Sequence, residues 1–137
     1  MTTYAAKALI FYKDKLLVLR RSGTHPHWAL QPDLPGGMIE TDETPEVGLS
    51  REILEEIGLE IPITKADLVY EKHIRTFDYH YIYLIRLEGE SPKLNISWEH
   101  DEYYWRSIDE VIEGEYPDNL DLFFVEVVDY LKTIKDQ

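Results

Sequence analysis

Apolar and polar positions alternate along the chain in a few well-marked blocks. Residues 5–12 and 15–20 are apolar runs around Lys13-Asp14, and this layout predicts a β-hairpin. Residues 22–33 break the pattern with Gly23, Pro26 and Pro32 and read as a loop. A helix is predicted from about Pro45 to Ile57, with Thr44 as N-cap, Pro45 at the first helical position and Gly58 as the stop. Residues 67–73 and 77–88 read as strands, the second rich in tyrosine and β-branched side chains, and residues 87–91 as a turn. Short strands are expected at 94–97 and 103–106, with a short helix at 107–112. Residues 120–134 place apolar side chains at 120, 123, 124, 127, 128, 131 and 134, the spacing of an amphipathic helix packed on a sheet. Strands interleaved with two substantial helices predict an α/β or α+β domain. The 137 residues show no repeat or linker and have the size of one domain.

The central helix raises a question of charge. Glu52, Glu55 and Glu56 lie at i, i+3 and i+4 and fall within an arc of about 100°. Val47, Ile53, Leu54 and Ile57 fall towards the opposite side and are expected to face the core, with Leu49 at the border. Like charges at this spacing cost a few tenths of a kcal/mol each. The C-terminal half of a helix also disfavours anions. A hard divalent cation on oxygen ligands would offset both. For an isolated cluster, a solvated acidic face is the simpler account.

Composition narrows the classes. Hydrophobic residues make up 44 % of the chain, enough for a sizeable core. The 14 basic and 27 acidic residues give a net charge of −13, a surface that repels nucleic-acid polymers. A small phosphate-bearing ligand would need a cation between it and the carboxylates. No apolar run is long enough for a membrane helix, and MTTYAAKALIFYKDK lacks a signal-peptide layout. The expectation is a soluble, cytoplasmic protein. The absence of cysteine excludes disulfides, thiolate nucleophiles and cysteine–zinc sites.

Residues 37–59, GMIETDETPEVGLSREILEEIGL, fit the frame G-x5-E-x7-R-E-U-x-E-E-x-G-U, where U is a bulky apolar residue. The fixed positions are Gly37, Glu43, Arg51, Glu52, Ile53, Glu55, Glu56, Gly58 and Leu59. This frame resembles the Nudix box, the signature of the Nudix hydrolases. Leu34-Pro35-Gly36-Gly37 resembles the family's lead-in, while Asp42 departs from a frequent glycine. The resemblance implies one domain over residues 1–137, an α/β/α sandwich around a central mixed sheet. It implies Mg2+-dependent cleavage, with Mn2+ as a substitute, of a pyrophosphate bond in a nucleoside diphosphate linked to a moiety X. A nucleoside triphosphate, ordinary or oxidised, giving monophosphate and pyrophosphate comes first. Dinucleoside polyphosphates or ADP-ribose-type nucleotide sugars are the alternative. A non-catalytic nucleotide-sensing module is a third reading, weakened by the complete set of box glutamates. Isopentenyl diphosphate isomerase, which shares the fold, needs a cysteine that this chain lacks.

Carried over residue by residue, the resemblance makes Glu52, Glu55, Glu56 and the Gly37 carbonyl metal ligands, with Glu56 central and Glu40 assisting. Arg51 would pair with Glu43 and steer the carboxylates. The general base of MutT-type members lies outside the box, which makes Glu99 the first candidate and Glu102 the second. Glu52 is another, and a solvated acidic turn explains the 98–105 segment equally well. His100 reads as a surface histidine. Arg20 and Arg21 match arginines near the phosphates, though a charged strand end accounts for them equally. Asn119 resembles an asparagine that reads a purine edge, though Asp118 or Asn119 also suits the N-cap of the last helix. Tyr81, with Trp28, Phe77 and Tyr79, is a candidate for stacking a base. His25-Pro26-His27 reads as a substrate-side or solvent loop rather than a metal pair. The implied partner is a small nucleotide, with no membrane and no nucleic-acid polymer, and the implied state is monomer or homodimer.

Overall fold

The computed structural model describes residues 2–75 and 78–135. Strands β1 (Thr3–Tyr12) and β2 (Lys15–Arg21) form the expected hairpin. Its two-residue turn has Lys13 and Asp14 at φ 47° and 64°, a pairing whose twist matches that of the flanking strands. The ladder between them is short, with Phe11 facing Leu16 and Tyr12 facing Lys15, after which the strands part. The freed edge of β1 takes β4 (Gly36–Met38) at Ala5–Lys7, and that of β2 takes β3 (Pro32–Asp33) at Leu19 and Arg20. The lead-in to the box is thus wedged between two diverging strands.

On its other edge β1 runs parallel to β6 (Asp78–Leu87), and β6 pairs antiparallel with β5 (Asp67–Arg75). The far edge of β2 carries β7 (His100–Arg106). The sheet is therefore mixed. Alternate side chains of β1 and β2 serve opposite faces. Ala6, Ala8, Ile10, Leu17 and Leu19 meet α1 (Pro45–Ile57) through Leu49, Ile53 and Ile57. Leu9, Phe11, Leu16 and Val18 meet α2 (Ile108–Glu113) and α3 (Leu122–Ile134) through Val111, Phe124, Val127 and Leu131. Each buried valine, leucine, isoleucine or phenylalanine among them contributes about 1.5–3 kcal/mol by leaving water. Helices on both faces of a mixed sheet are the α/β/α arrangement expected. Among the described residues, no helix is long and apolar enough to cross a membrane.

Several local expectations are corrected. Residues 32–33 form a strand inside the expected loop, at a sheet edge that tolerates proline. Residues 94–97 form no strand: the Asn95 and Ser97 N–H groups donate instead to Ile57 O and Glu56 O at 2.9 and 2.8 Å. They satisfy carbonyls that the end of α1 leaves free. α3 starts at Leu122, capped by Asp121 rather than Asp118 or Asn119. α1 is rotated from its expected pose: Val47 and Leu54 are 44 % and 47 % exposed, whereas Leu49 and Glu56 are buried. The buried stripe runs through 49, 53, 56 and 57, so Glu56 enters the interior beside the apolar face. The predicted strand start at Phe77, and that side chain's stacking role, lie outside the described residues.

Candidate active site

The site grows from the wedge between β1 and β2. Gly36 has φ 136°, and a Cβ there would stand 2.1 Å from the Ala6 carbonyl oxygen, so only glycine fits against β1. In this position the Gly36 N–H donates to Glu56 Oε1 at 2.8 Å. At Gly37 an added Cβ would come within 2.9 Å of the Glu52 carboxylate. The missing side chain is what lets Glu52 close over the backbone. Glu52 and Glu56 thus press their oxygens against residues 36–37, while Glu55 sits at the rim with a 59 % exposed side chain.

Arg51 ties the loop to the helix. Its Nε and Nη2 donate to both Glu43 oxygens at 2.7 and 2.9 Å, and Nη2 also reaches Met38 O at 3.2 Å. Nη1 reaches Glu52 at 3.1 Å and Glu55 at 3.4 Å. The two-pronged guanidinium contact, helped by the Glu40 N–H, holds the Glu43 carboxyl down to about 2. Glu40 stands further out, 3.9 Å from Arg51.

Beneath Glu56 lies a buried charge network that the sequence reading missed. Lys7 Nζ donates to Asp33 Oδ1 at 3.0 Å, to Leu34 O at 3.2 Å and to Gly36 O at 3.4 Å. Arg21 reaches Asp33 at 3.3 Å and Asp121 at 2.9 Å, and donates to His27 O at 3.1 Å. His100 Nε2 pairs with Asp33 Oδ2 at 2.9 Å, and Nδ1 lies 3.7 Å from Glu56 Oε2. His100 is 3 % exposed, which corrects its reading as a surface residue. Burial opposes ionisation of Asp33, yet Lys7, His100 and Arg21 together hold its carboxyl below the usual range. The available signal was Lys7 itself, a lysine inside an apolar strand that demands a buried partner.

Glu56 is left short of positive charge. Burial pushes its carboxyl up to about 8 despite the opposing charge of Lys7. Burial also pushes Glu52 up, against Arg51, and the charges of Glu55 and Glu99 add to the rise. Asp33, Glu56 and His100 offer donor atoms within 4.8 Å of one another. Asp33 is already neutralised by Lys7 and Arg21, so a cation gains most at Glu56. Hard oxygen donors, an undercompensated carboxylate and a cradle that a Cβ would fill suit a hard divalent cation.

The expected substrate residues do not all gather. Arg20 and Asn119 line one cavity of about 770 Å3, together with Leu30, Gln31 and Tyr104. Arg20 is held there by Asp101 at 2.8 and 2.9 Å. Arg21, expected near the phosphates, is instead 6 % exposed with its guanidinium engaged internally. Tyr81 lines a separate cavity of about 540 Å3 with Tyr4, Met38 and Glu40. Tyr4, Tyr79 and Tyr81 pack ring to ring beside it, 5.0–6.3 Å apart. Trp28 is exposed, under the Arg21 guanidinium at 5.5 Å. Of the two base candidates outside the box, Glu99 helps raise Glu52 through its charge, whereas Glu102 is engaged by the Tyr104 hydroxyl and stands 3.8 Å from Arg20.

The chain is similar to known proteins in sequence and in fold. The NUDIX domain family model matches residues 1–125. A MutT-like protein of Streptomyces ambofaciens is 39 % identical over 61 residues, 44 % of this chain and 36 % of that protein. The chain thus matches about a third of the length of that relative. The crystal structure of a MutT protein from Methanosarcina mazei Go1 superposes with TM-score 0.77 at 25 % identity, covering 99 % of this chain and 96 % of that one. A bifunctional NMN adenylyltransferase/ADP ribose pyrophosphatase from Francisella tularensis, complexed with AMP and a manganese ion, superposes with TM-score 0.69. Its identity is 20 %, over 97 % of this chain and 42 % of that one. With its complete box folded into an acidic cradle and the family match running over residues 1–125, the chain belongs to the NUDIX domain family.

Proposed function

We propose that the chain is a Mg2+-dependent pyrophosphohydrolase of a nucleoside diphosphate–X substrate. A nucleoside triphosphate, cleaved to monophosphate and pyrophosphate, is the first choice. The observation that carries the reading is the buried Glu56 carboxylate, held with Glu52 against the glycine backbone of residues 36–37. Glu52, Glu56 and the Gly37 carbonyl would hold the cation, with Glu55 contributing from the rim. When bound there, a divalent cation screens the charge of the diphosphate and makes water a better nucleophile.

The chain's own groups supply the rest. The Gly36 N–H and the Lys7 ammonium fix Glu56 and the backbone it leans on. Arg51, locked by Glu43, holds Glu52 in place. Glu99, with its side chain 38 % exposed beside the cradle, takes the proton from the attacking water as general base. The Arg20–Asn119 cavity lies within the size range of small-ligand sites and takes the nucleoside. Asn119 is exposed and faces that cavity, whereas a phosphate must compete with Asp101 for Arg20.

A second reading rests on the tyrosine-lined cavity beyond the box loop, which offers a surface for a second ring. It favours dinucleoside polyphosphates or ADP-ribose-type substrates. A panel of ordinary and oxidised nucleoside triphosphates, ADP-ribose and diadenosine polyphosphates, incubated with Mg2+ and resolved by anion exchange, separates the two. The first reading expects monophosphate plus pyrophosphate from a triphosphate as the fastest reaction. Faster cleavage of ADP-ribose or a diadenosine compound selects the second, and no cleavage at all rejects both.

A further inference from the structure

His25-Pro26-His27 stands in the loop between β2 and β3, and the reaction outlined above leaves it without a role. The loop base is tied to the turn before β7 by the Ser22 N–H on Glu99 O at 2.8 Å, and His25 N–H returns to Ser22 O at 3.1 Å. That turn is itself tied to α1 by the Ser97 N–H on Glu56 O at 2.8 Å. His25 is thereby set beside Trp98, Glu99 and His100, with ring centroids 6.4 Å from Trp98 and 6.3 Å from His100. Its side chain is only 10 % exposed.

The proline-bridged turn brings the His27 N–H onto His25 Nδ1 at 3.1 Å. Nδ1 is therefore an acceptor. Burial and the nearby Arg21 push His25 below its usual pKa, against the opposing charge of Glu99. A neutral imidazole with an acceptor Nδ1 carries its one proton on Nε2. Nε2 lies 3.6 Å from Glu99 Oε2, a long contact of the kind that tightens when substrate binds.

We propose that His25 is a positioning residue for Glu99, its Nε2–H fixing the carboxylate so that the other oxygen faces the water beside Glu52. The inference rests on the hydrolase reading with Glu99 as base. Glu99 is partly exposed, and an unrestrained glutamate samples many rotamers. A neutral donor on one oxygen selects a rotamer while leaving the second oxygen free to accept the water proton.

The test combines kinetics with NMR. His25→Ala, His25→Gln, Glu99→Gln and the His25→Ala/Glu99→Gln double variant are assayed with Mg2+ and the best substrate of the panel. His25→Ala should lower kcat roughly tenfold and leave KM and the Mg2+ half-saturation within about twofold. His25→Gln, whose amide nitrogen reaches the Nε2 position, should recover kcat to within about threefold of wild type. On the Glu99→Gln background, His25→Ala should have no further effect. Long-range 1H–15N spectra of the wild type should show the Nε2–H tautomer for His25, with its Nε2 resonance moving in Glu99→Gln. Additive losses, absence of rescue by glutamine, unaltered kcat in His25→Ala or an Nδ1–H tautomer would overturn the proposal. If the wild type cleaves nothing on the panel, the hydrolase reading falls and takes the positioning role with it, even where the spectra show the contact.

Discussion

Glu56 holds an ionisable carboxyl in an interior where water cannot solvate it, and stability should register that. Its carboxyl sits near 8 in the folded, metal-free chain against an ordinary 4.5. Below 4.5 both folded and unfolded forms are protonated, so the group is neutral with respect to stability. Between 4.5 and about 8 the folded form binds the extra proton, so stability falls as pH rises. In EDTA, the unfolding free energy of the wild type should therefore fall relative to Glu56→Gln across that window, by at most about 1.4 kcal/mol per pH unit. Urea titrations from pH 5 to 8 measure the difference, and parallel curves for the two proteins would refute the burial argument. Asp33 offers a second check. Asp33→Asn leaves Lys7 and Arg21 facing a neutral amide in the interior and should cost about 3–5 kcal/mol in urea unfolding. Lys7→Met combined with Asp33→Asn should cost less than the sum of the two single changes, since each partner's absence relieves the other.

Glycines separate the elements that build the cradle. At Gly36 the obstacle is the β1 backbone, 2.1 Å from an added Cβ, and backbone does not yield. Gly36→Ala should destabilise the chain by more than about 3 kcal/mol, read as loss of the cooperative unfolding transition or a large drop in Tm. At Gly37 the obstacle is the Glu52 side chain, which can swing away. Gly37→Ala should fold with a near-wild-type Tm yet bind Mn2+ at least about tenfold more weakly in EPR titration. The hairpin, α1 with its caps and α3 were legible because each is written in local periodicity and end signals. Residues 94–97 were not legible, because what replaces a strand there is pairing to the free carbonyls of α1, far away in the chain. The rotation of α1 escaped for a similar reason: which apolar positions go inside depends on the sheet beneath, and Leu49 displaced Val47 and Leu54. The box named the carboxylates, but not that Glu56 enters the core, nor that Lys7, Asp33, Arg21 and His100 lie beneath it.

At the scale of the molecule, the split between β1 and β2 seats the acidic cradle, and two cavities with different walls open on the same fold. Arg20 and Asn119 share one of them, and Tyr81 lines the other. If the first cavity takes the nucleoside of a triphosphate, Arg20→Ala and Asn119→Ala should each raise KM about tenfold with little change in kcat. Tyr81→Leu should leave triphosphate kinetics within about twofold and affect only substrates with a second ring system. A chain with net charge −13 does not attract a polyphosphate without a cation, so turnover should stand or fall with the divalent metal. The most direct measurement of that claim is the steady-state rate of nucleotide hydrolysis by folded wild type and folded Glu56→Gln, each in Mg2+ and in EDTA. Turnover should occur only for wild type in Mg2+, with Glu56→Gln lower by at least about a thousandfold while its Tm in EDTA matches or exceeds that of the wild type. Near-wild-type turnover in folded Glu56→Gln, or hydrolysis that survives EDTA, would contradict the account.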